Sequence, residues 1–94
     1  MSEWTFLTNH AHVLLLISHD ADLRMRDVAE QVGITERAVH RIVHDLTEAG
    51  YLEVEKHGRR NHYAVKRSLP LRHPVERGAR VSDLLSLLDH AMSR

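Results

Sequence analysis

The sequence predicts a single α+β domain that is mostly α-helical and has a small antiparallel sheet. First, its 94 residues fit one compact domain with one core. Second, hydrophobic residues make up 43% of the chain but aromatic residues only 4%, so aliphatic side chains on helices must build that core. Third, apolar residues recur at helical spacing through most of the chain, and sustained period-two alternation appears only just after Gly50.

The first predicted helix runs from His10 to His19, with a threonine or asparagine N-cap just before it. Its centre, residues 13–17, is apolar on every face, which in so short a helix implies burial on nearly all sides. A turn is predicted at residues 20–22. The alternating residues Leu23 to Met25 then predict a very short strand.

Two further helices are predicted around a tight turn. The second covers Arg26 to Val32 and ends at Gly33, where a left-handed C-cap is expected. The third covers Glu36 to Ala49, is capped by Thr35 and ends at Gly50. Its apolar positions are Val39, Ile42, Val43 and Leu46. They share one face, so the opposite, polar face is free to contact a partner.

A β-hairpin with a basic tip is predicted next. Residues 52–55 alternate apolar with acidic side chains, and Tyr63 and Val65 repeat the apolar positions after residues 58–61. The formal net charge of the chain is zero, which argues mildly against a nucleic-acid binder. However, residues 56–67 contain five Lys or Arg residues and no acidic residue. The positive charge is therefore local and lies on this hairpin.

Beyond the hairpin, prolines at positions 70 and 74 predict a linker over residues 68–80. A last helix over Val81 to Met92 has an apolar stripe. We therefore divide the chain into a domain over residues 1–67, the linker, and a C-terminal helix in residues 81–94. The stripe predicts a homodimer interface made of Leu84, Leu85, Leu88 and Met92. Alternatively, this helix folds back on the first helix and completes the monomer's core.

The spacing around the turn between the second and third helices is informative. A helix-turn-helix needs a small residue where its helices cross, a glycine at the turn and apolar anchors on the second helix. The chain supplies these as Ala29, Gly33, Val39 and Ile42. Residues 28–35 resemble the turn motif of MarR-like and ArsR-like winged-helix regulators of bacteria and archaea. Residues 46–52 resemble their approach to the wing, and residues 58–63 resemble the wing itself.

This resemblance covers residues 9–67 and implies a winged helix-turn-helix with a three-helix core, a small antiparallel sheet with a wing hairpin, and an extra C-terminal helix. It also implies a sequence-specific, double-stranded DNA-binding transcriptional regulator. The third helix, residues 36–49, would enter the major groove, and the wing, residues 56–62, would contact the backbone or minor groove. The expected DNA contacts on the helix are Thr35, Glu36, Arg37, His40, Arg41 and His44. Those on the wing are Lys56, Arg59, Arg60, Asn61 and His62.

Each of these assignments has an alternative. Arg37 and Arg41 also fit the solvated face of an amphipathic helix, and basic residues at a hairpin tip also protect an exposed edge from aggregation. A winged helix can act as a protein–protein interaction module without binding DNA. The arginines on both elements favour DNA, because a protein-binding module more often shows an apolar patch there.

Other classes of function are disfavoured. Without cysteine there is no disulfide, thiol nucleophile or thiolate metal site. No glycine-rich phosphate loop or G-x-S-x-G motif is present, so neither an enzyme nor a cofactor is predicted. Among nine histidines, His40 and His44 have the spacing to bind one metal ion, but spacing gives no third ligand and no metal site is predicted. No apolar run approaches the roughly 18 residues of a membrane span, so we expect a soluble, cytoplasmic protein.

Overall fold

The computed structural model describes residues 3–92, with side chains up to residue 89. These residues form four α-helices and one two-stranded antiparallel sheet. The elements are α1 (Asn9–His19), α2 (Met25–Val32), α3 (Glu36–Glu48), β1 (Leu52–His57), β2 (Arg60–Val65), a 3-10 helix (Pro74–Glu76) and α4 (Val81–Met92). The predicted mostly helical α+β class is confirmed. None of the described helices is long and apolar enough to cross a membrane.

Helix α1 is the centre of the core. Its N-terminus is capped by Thr8, whose hydroxyl oxygen accepts a hydrogen bond from the Ala11 N–H at 3.2 Å. Four of its apolar side chains are buried: Val13, Leu14, Leu15 and Ile17. Because these four cover more than one face, α1 contacts α2, α3, β2 and α4 at once. The prediction of burial on nearly all sides therefore agrees with the structure.

The turn between α2 and α3 is closed by backbone hydrogen bonds. Gly33 has φ +86°, which only glycine adopts readily, and its N–H donates to the Ala29 carbonyl at 2.8 Å. The Ile34 N–H donates to the same carbonyl at 3.0 Å. Thr35 then caps α3 by accepting from the Ala38 N–H at 3.0 Å. The side chain of Ala29 is buried, as the helix-turn-helix spacing predicted.

The hairpin pairs β1 with β2 from Leu52↔Val65 at its base to His57↔Arg60 at its tip. Its loop is only Gly58 and Arg59, because the next two residues of the predicted tip already belong to β2. Gly58 has φ +66° and Arg59 does not have a positive φ, the pattern of a type II′ turn.

The short strand predicted over Leu23 to Met25 is wrong. Met25 is already the first residue of α2, and the Leu23 N–H closes a turn by donating to the Asp20 carbonyl at 3.2 Å. One backbone hydrogen bond, from the Tyr63 N–H to the Ala21 carbonyl at 3.2 Å, joins the turn just before this segment to β2. A single bond does not make a ladder, so the segment lies beside the hairpin without extending its sheet.

Residues 68–80, predicted as a linker, contain the 3-10 helix and a β-bridge between Pro70 and Arg80. The Val81 N–H donates to the Leu69 carbonyl at 2.9 Å, and the Leu71 N–H to the Ala79 carbonyl at 3.0 Å. The two ends of the segment are thus joined to each other. The division of the chain into domain, linker and C-terminal helix stays a prediction.

Helix α4 contacts α1 through its first two turns. Val81 and Leu85 are 1% and 3% exposed, so both belong to the core of one chain. Leu84 and Leu88 are half-buried, whereas Leu87 is 73% exposed. The predicted dimer contact of Met92 lies outside the described side chains. The alternative in which α4 folds back on α1 therefore agrees with the face of α4 that carries Val81 and Leu85. The face that carries Leu87 stays exposed.

Candidate nucleic-acid interface

The outer face of α3 is polar, because Val39, Ile42 and Val43 hold the opposite face in the core. The predicted DNA contacts on this helix are all exposed: Thr35, Glu36, Arg37, His40, Arg41 and His44. Arg37 and Arg41 are four residues apart, so they lie one above the other on the helix surface. Within the described part of the chain, neither forms an ion pair. Because both side chains are exposed, their guanidinium groups are accessible to a ligand.

Three of these residues also have partners within or at the start of α3. The Thr35 hydroxyl oxygen caps the helix. The Nε2 atom of His40 lies 3.7 Å from a carboxylate oxygen of Glu36, one turn away. This pair is exposed on both sides, so it is weak and can open when a ligand approaches. These contacts leave the arginines as the main donors of the helix.

The wing hairpin has two distinct faces, because side chains alternate along a strand. The face toward the core carries Val54, Lys56, Asn61 and Tyr63. The outer face carries Glu55, His57, Arg60 and His62. Tyr63 is buried, whereas Lys56, Arg59, Arg60 and Asn61 are exposed. The predicted basic tip is thus accessible.

A groove of ≈ 460 Å³ separates the wing from the N-terminal ends of α2 and α3. Its charged and histidine side chains are Arg24, Arg26, Glu36, His40, Arg59 and Arg60, together with Asp22. The groove therefore brings Glu36 and His40 of α3 together with three predicted wing residues, whereas Arg37, Arg41 and His44 lie outside its lining. Arg24 and Arg26 were not among the predicted contacts, although they are the only Lys or Arg residues before Ile34.

The wing is joined to the turn before α2 through Asp22. The Arg60 guanidinium donates to the Asp22 backbone carbonyl at 2.7 Å, and the His62 Nδ1 donates to the Asp22 carboxylate at 2.9 Å. The hydrogen bond from His62 lowers the pKa of Asp22 below its ordinary value of 3.8; desolvation opposes this, and the charges of His62, Arg60 and His57 add to the lowering. Two residues predicted only as DNA contacts therefore also have a protein partner.

Acidic and imidazole groups limit the positive charge along the strands of the wing. His57 stacks on His62 with ring centroids 4.9 Å apart, and its Nε2 lies 3.2 Å from a Glu55 carboxylate oxygen. Nearer the base, Lys66 pairs with Glu53 at 3.0 Å. The free cationic groups of the hairpin are therefore concentrated at its tip.

The histidines do not assemble into a metal centre in the part of the chain that the structure describes. His10 pairs with Asp45 at 2.9 Å, and the His12 Nδ1 lies 3.2 Å from the Asn9 amide oxygen. Among the described residues, no three His, Asp or Glu side chains are placed to share one ion.

Three helices around a glycine turn, followed by a hairpin that borders a cationic groove, define a winged helix-turn-helix. A family model described as MarR family matches residues 5–60, more than half of the chain. The chain belongs to the MarR family. Of the two predicted resemblances, the comparisons support the MarR-like one. Membership of this family also agrees with the prediction that the protein is not an enzyme.

Solved structures share this fold at low sequence identity. The zinc-dependent MarR family transcriptional regulator AdcR, in its Zn(II)-bound state, matches with a TM-score of 0.60 and 19% identity, over 99% of this chain and 59% of that chain. MepR, a transcription regulator of the Staphylococcus aureus multidrug efflux pump MepA, matches with a TM-score of 0.59 and 15% identity, over 92% of this chain and 60% of that chain.

A third structure, AF1382 from Archaeoglobus fulgidus, matches with a TM-score of 0.57 and 17% identity, over 89% of this chain and 88% of that chain. At such identities the likeness shows the fold alone. The chain spans about three-fifths of the length of AdcR and MepR. No curated protein matches the chain.

Proposed function

We propose that the protein is a transcriptional regulator that binds double-stranded DNA in a sequence-specific manner. The observation that carries this proposal is the shared groove, where Arg59 of the wing tip faces the N-terminal end of α3. On the adjoining helix surface, Arg37 and Arg41 have no carboxylate partner in the described part of the chain. Membership of the MarR family supports the same function.

In this proposal α3 enters the major groove. Arginine presents two parallel donors, which match the O6 and N7 acceptors of guanine, so Arg37 and Arg41 are the base-reading candidates. Thr35, His40 and His44 add contacts beside them. Arg59 at the wing tip binds the phosphate backbone or the adjacent minor groove, with help from Lys56, Arg60, Asn61 and His62. Phosphate contacts supply most of the affinity, and base contacts supply the choice of sequence.

A protein–protein interaction module is the alternative, and the exposed surface disfavours it. The large apolar side chains that the described structure exposes are Trp4, Phe6, Val54, Val75 and Leu87. None of them lies on α3 or at the wing tip. A protein-binding face would be expected to concentrate such side chains where this chain has arginines.

We further propose that the protein acts as a homodimer on DNA in the cytoplasm. The open face of α4 supports this, since Leu87 is 73% exposed between the half-buried Leu84 and Leu88. Phe6, which is 92% exposed, lines the same depression as Leu84. Two copies related by a two-fold axis would read both halves of a palindrome about 34 to 36 Å apart. Leu85 is buried in the core of one chain, so its role in the dimer is to hold α4 against α1.

Selection of bound fragments from random DNA, followed by affinity measurements at several salt concentrations, tests the DNA-binding proposal. A selected sequence should be bound at least about 10³-fold more tightly than random DNA at physiological salt. Arg37→Ala with Arg41→Ala should remove most of this preference. The matched control is Arg72→Ala with Arg77→Ala, which removes the same charge from the exposed loop before α4. Equal binding by both double variants would refute the proposal.

Sedimentation of Leu87→Glu beside Ser86→Glu tests the homodimer. Both residues are exposed on α4, so neither substitution disturbs the core. A dimer through the apolar face should dissociate only in the Leu87 variant. A monomeric parent chain at micromolar concentration would rule this dimer out.

A further inference from the structure

The far half of the wing has little apolar support. Of the twelve strand residues, only Leu52 and Tyr63 are buried. Leu52 lies at the base of the hairpin, and Tyr63 lies midway along β2. Beyond Tyr63, toward the tip, every strand residue is exposed except the half-buried His62. A two-stranded hairpin is marginally stable on its own, so its outer half needs another source of order.

The turn between α1 and α2 supplies contacts to this outer half. The Tyr63 N–H donates to the Ala21 carbonyl at 3.2 Å, His62 donates to the Asp22 carboxylate at 2.9 Å, and Arg60 donates to the Asp22 carbonyl at 2.7 Å. These three anchor points follow one another from the buried tyrosine toward the tip, with only Asn61 between the last two. Two of the three depend on Asp22, and only one depends on its side chain.

We propose that Asp22 is a positioning residue that acts through His62 and Arg60 to hold the wing and thereby present Arg59 to DNA. This inference rests on the proposed DNA-binding function. Asp22 itself need not touch DNA. Its carboxylate instead fixes the direction in which the hairpin leaves the core, and the next residue beyond Arg60 toward the tip is Arg59.

The charges around this contact make the proposal testable. His57 and Glu55 face His62 from β1, Arg60 lies on the same strand, and Asp20 lies in the same turn as Asp22. A carboxylate beside a DNA-binding surface repels phosphate, so its removal by itself strengthens binding. If Asp22 positions the wing, removal of its carboxylate should instead weaken DNA binding.

The test compares Asp22→Asn with Asp20→Asn. Both variants lose one negative charge from the same turn. Asparagine can still accept a neutral hydrogen bond at either position, from the Asp22 N–H at 3.1 Å in Asp20→Asn and from His62 in Asp22→Asn. Only Asp22→Asn removes a charged acceptor from a cationic partner, because Asp20 forms no ion pair among the described residues. We expect Asp22→Asn to bind DNA about two- to fivefold more weakly than the parent chain, the range of an exposed ion pair. Asp20→Asn should bind as tightly as the parent or slightly more tightly.

A double-mutant cycle separates positioning from a general loss of stability. Arg59→Ala should weaken DNA binding in the parent chain. It should weaken binding less in the Asp22→Asn background, because the wing tip is no longer held against the DNA. The slope of affinity against salt should also fall in Asp22→Asn. Additive effects of the two substitutions, or Asp22→Asn binding as tightly as Asp20→Asn, would overturn the proposal.

Hydrogen exchange of the free protein gives a measurement that does not depend on DNA. The Tyr63 amide and its neighbours toward the tip should exchange faster in Asp22→Asn than in Asp20→Asn, while the α1 amides should be unchanged. If the parent chain binds no DNA, the proposed function fails, and exchange still decides whether Asp22 holds the wing. Equal exchange in both variants would show that it does not.

Discussion

The helix-turn-helix and the wing border the same groove but are stabilised by different interactions. The α2–α3 unit is held by buried apolar side chains, including Val28, Val39 and Ile42. The outer half of the wing is held by exposed polar contacts to one turn. Burial of apolar surface is strong and nearly independent of pH, whereas exposed ion pairs are weak and sensitive to charge. The surface proposed to read bases is therefore rigid, and the one proposed to bind phosphates is adjustable.

The largest expected effect is overpacking of the rigid region. Ala29→Leu places three more carbons in the crossing of α2 and α3, where Ala29 is 6% exposed, and should reduce the free energy of unfolding by about 1 to 3 kcal/mol. Glu30→Leu is the control, because Glu30 is the exposed neighbour. Thermal melts of both variants measure the difference. An unchanged melting temperature for Ala29→Leu would contradict the close crossing of the two helices.

Equal backbone strain should have unequal consequences in the two regions. Gly33 and Gly58 have φ +86° and +66°, so alanine is strained at each by about 1 to 2 kcal/mol. Gly33→Ala should lower the melting temperature of the whole domain, because the α2–α3 turn unfolds with the core. Gly58→Ala should barely change it, since the tip can open locally. Equal losses of melting temperature would remove the distinction between a rigid unit and a separable wing.

The two regions should also differ in how they contribute to DNA binding. Arg37→Ala should cost about 1 to 3 kcal/mol on the preferred sequence and relax the preference at one position. Arg59→Ala should weaken binding to all sequences and reduce the salt slope by about one. Affinities on the selected and a scrambled duplex at three salt concentrations measure both quantities. If both variants lost preference equally, the division of labour between helix and wing would be wrong.

The smallest expected effect is the titration of Asp22. Its pKa is lowered, chiefly by the hydrogen bond from His62, so the ionised form stabilises the native state above the unfolded value of 3.8. That contribution is lost as the pH falls through the lowered pKa. In His62→Gln, the Asp22 midpoint followed by carboxyl NMR should therefore move up toward 3.8. An identical midpoint in the parent chain and the variant would show that His62 does not hold this carboxylate.

The sequence predicts the rigid region well because local patterns determine it. Helical periodicity, the threonine caps and Gly33 all act within a few residues, so α1, α2 and α3 appear within one residue of their predicted ends. The hairpin also follows from local alternation. The family resemblance then supplied the expected roles of the arginines on α3 and the wing.

The wing's attachment was not predicted because it depends on residues distant in sequence. Asp22 and His62 are 40 positions apart, and no pattern of spacing links them. The same limitation explains the wrong strand at residues 23–25, where alternation was present but the backbone bond to β2 is made by Ala21, outside that segment. Arg24 and Arg26 were overlooked because their place beside the wing appears only in the folded chain, where the wing borders the N-terminal end of α2 across the groove.

Because the two ends of the segment before α4 are hydrogen-bonded to each other, the chain should tolerate insertions within this segment. The bonds that link Leu69 to Val81 and Leu71 to Ala79 close the segment at its neck, while Val75 at its far end is 86% exposed. Doubling the length of such a closed loop costs only about 0.6 kcal/mol of entropy. A peptide tag or fluorophore inserted next to Val75 should therefore leave α4 seated on α1.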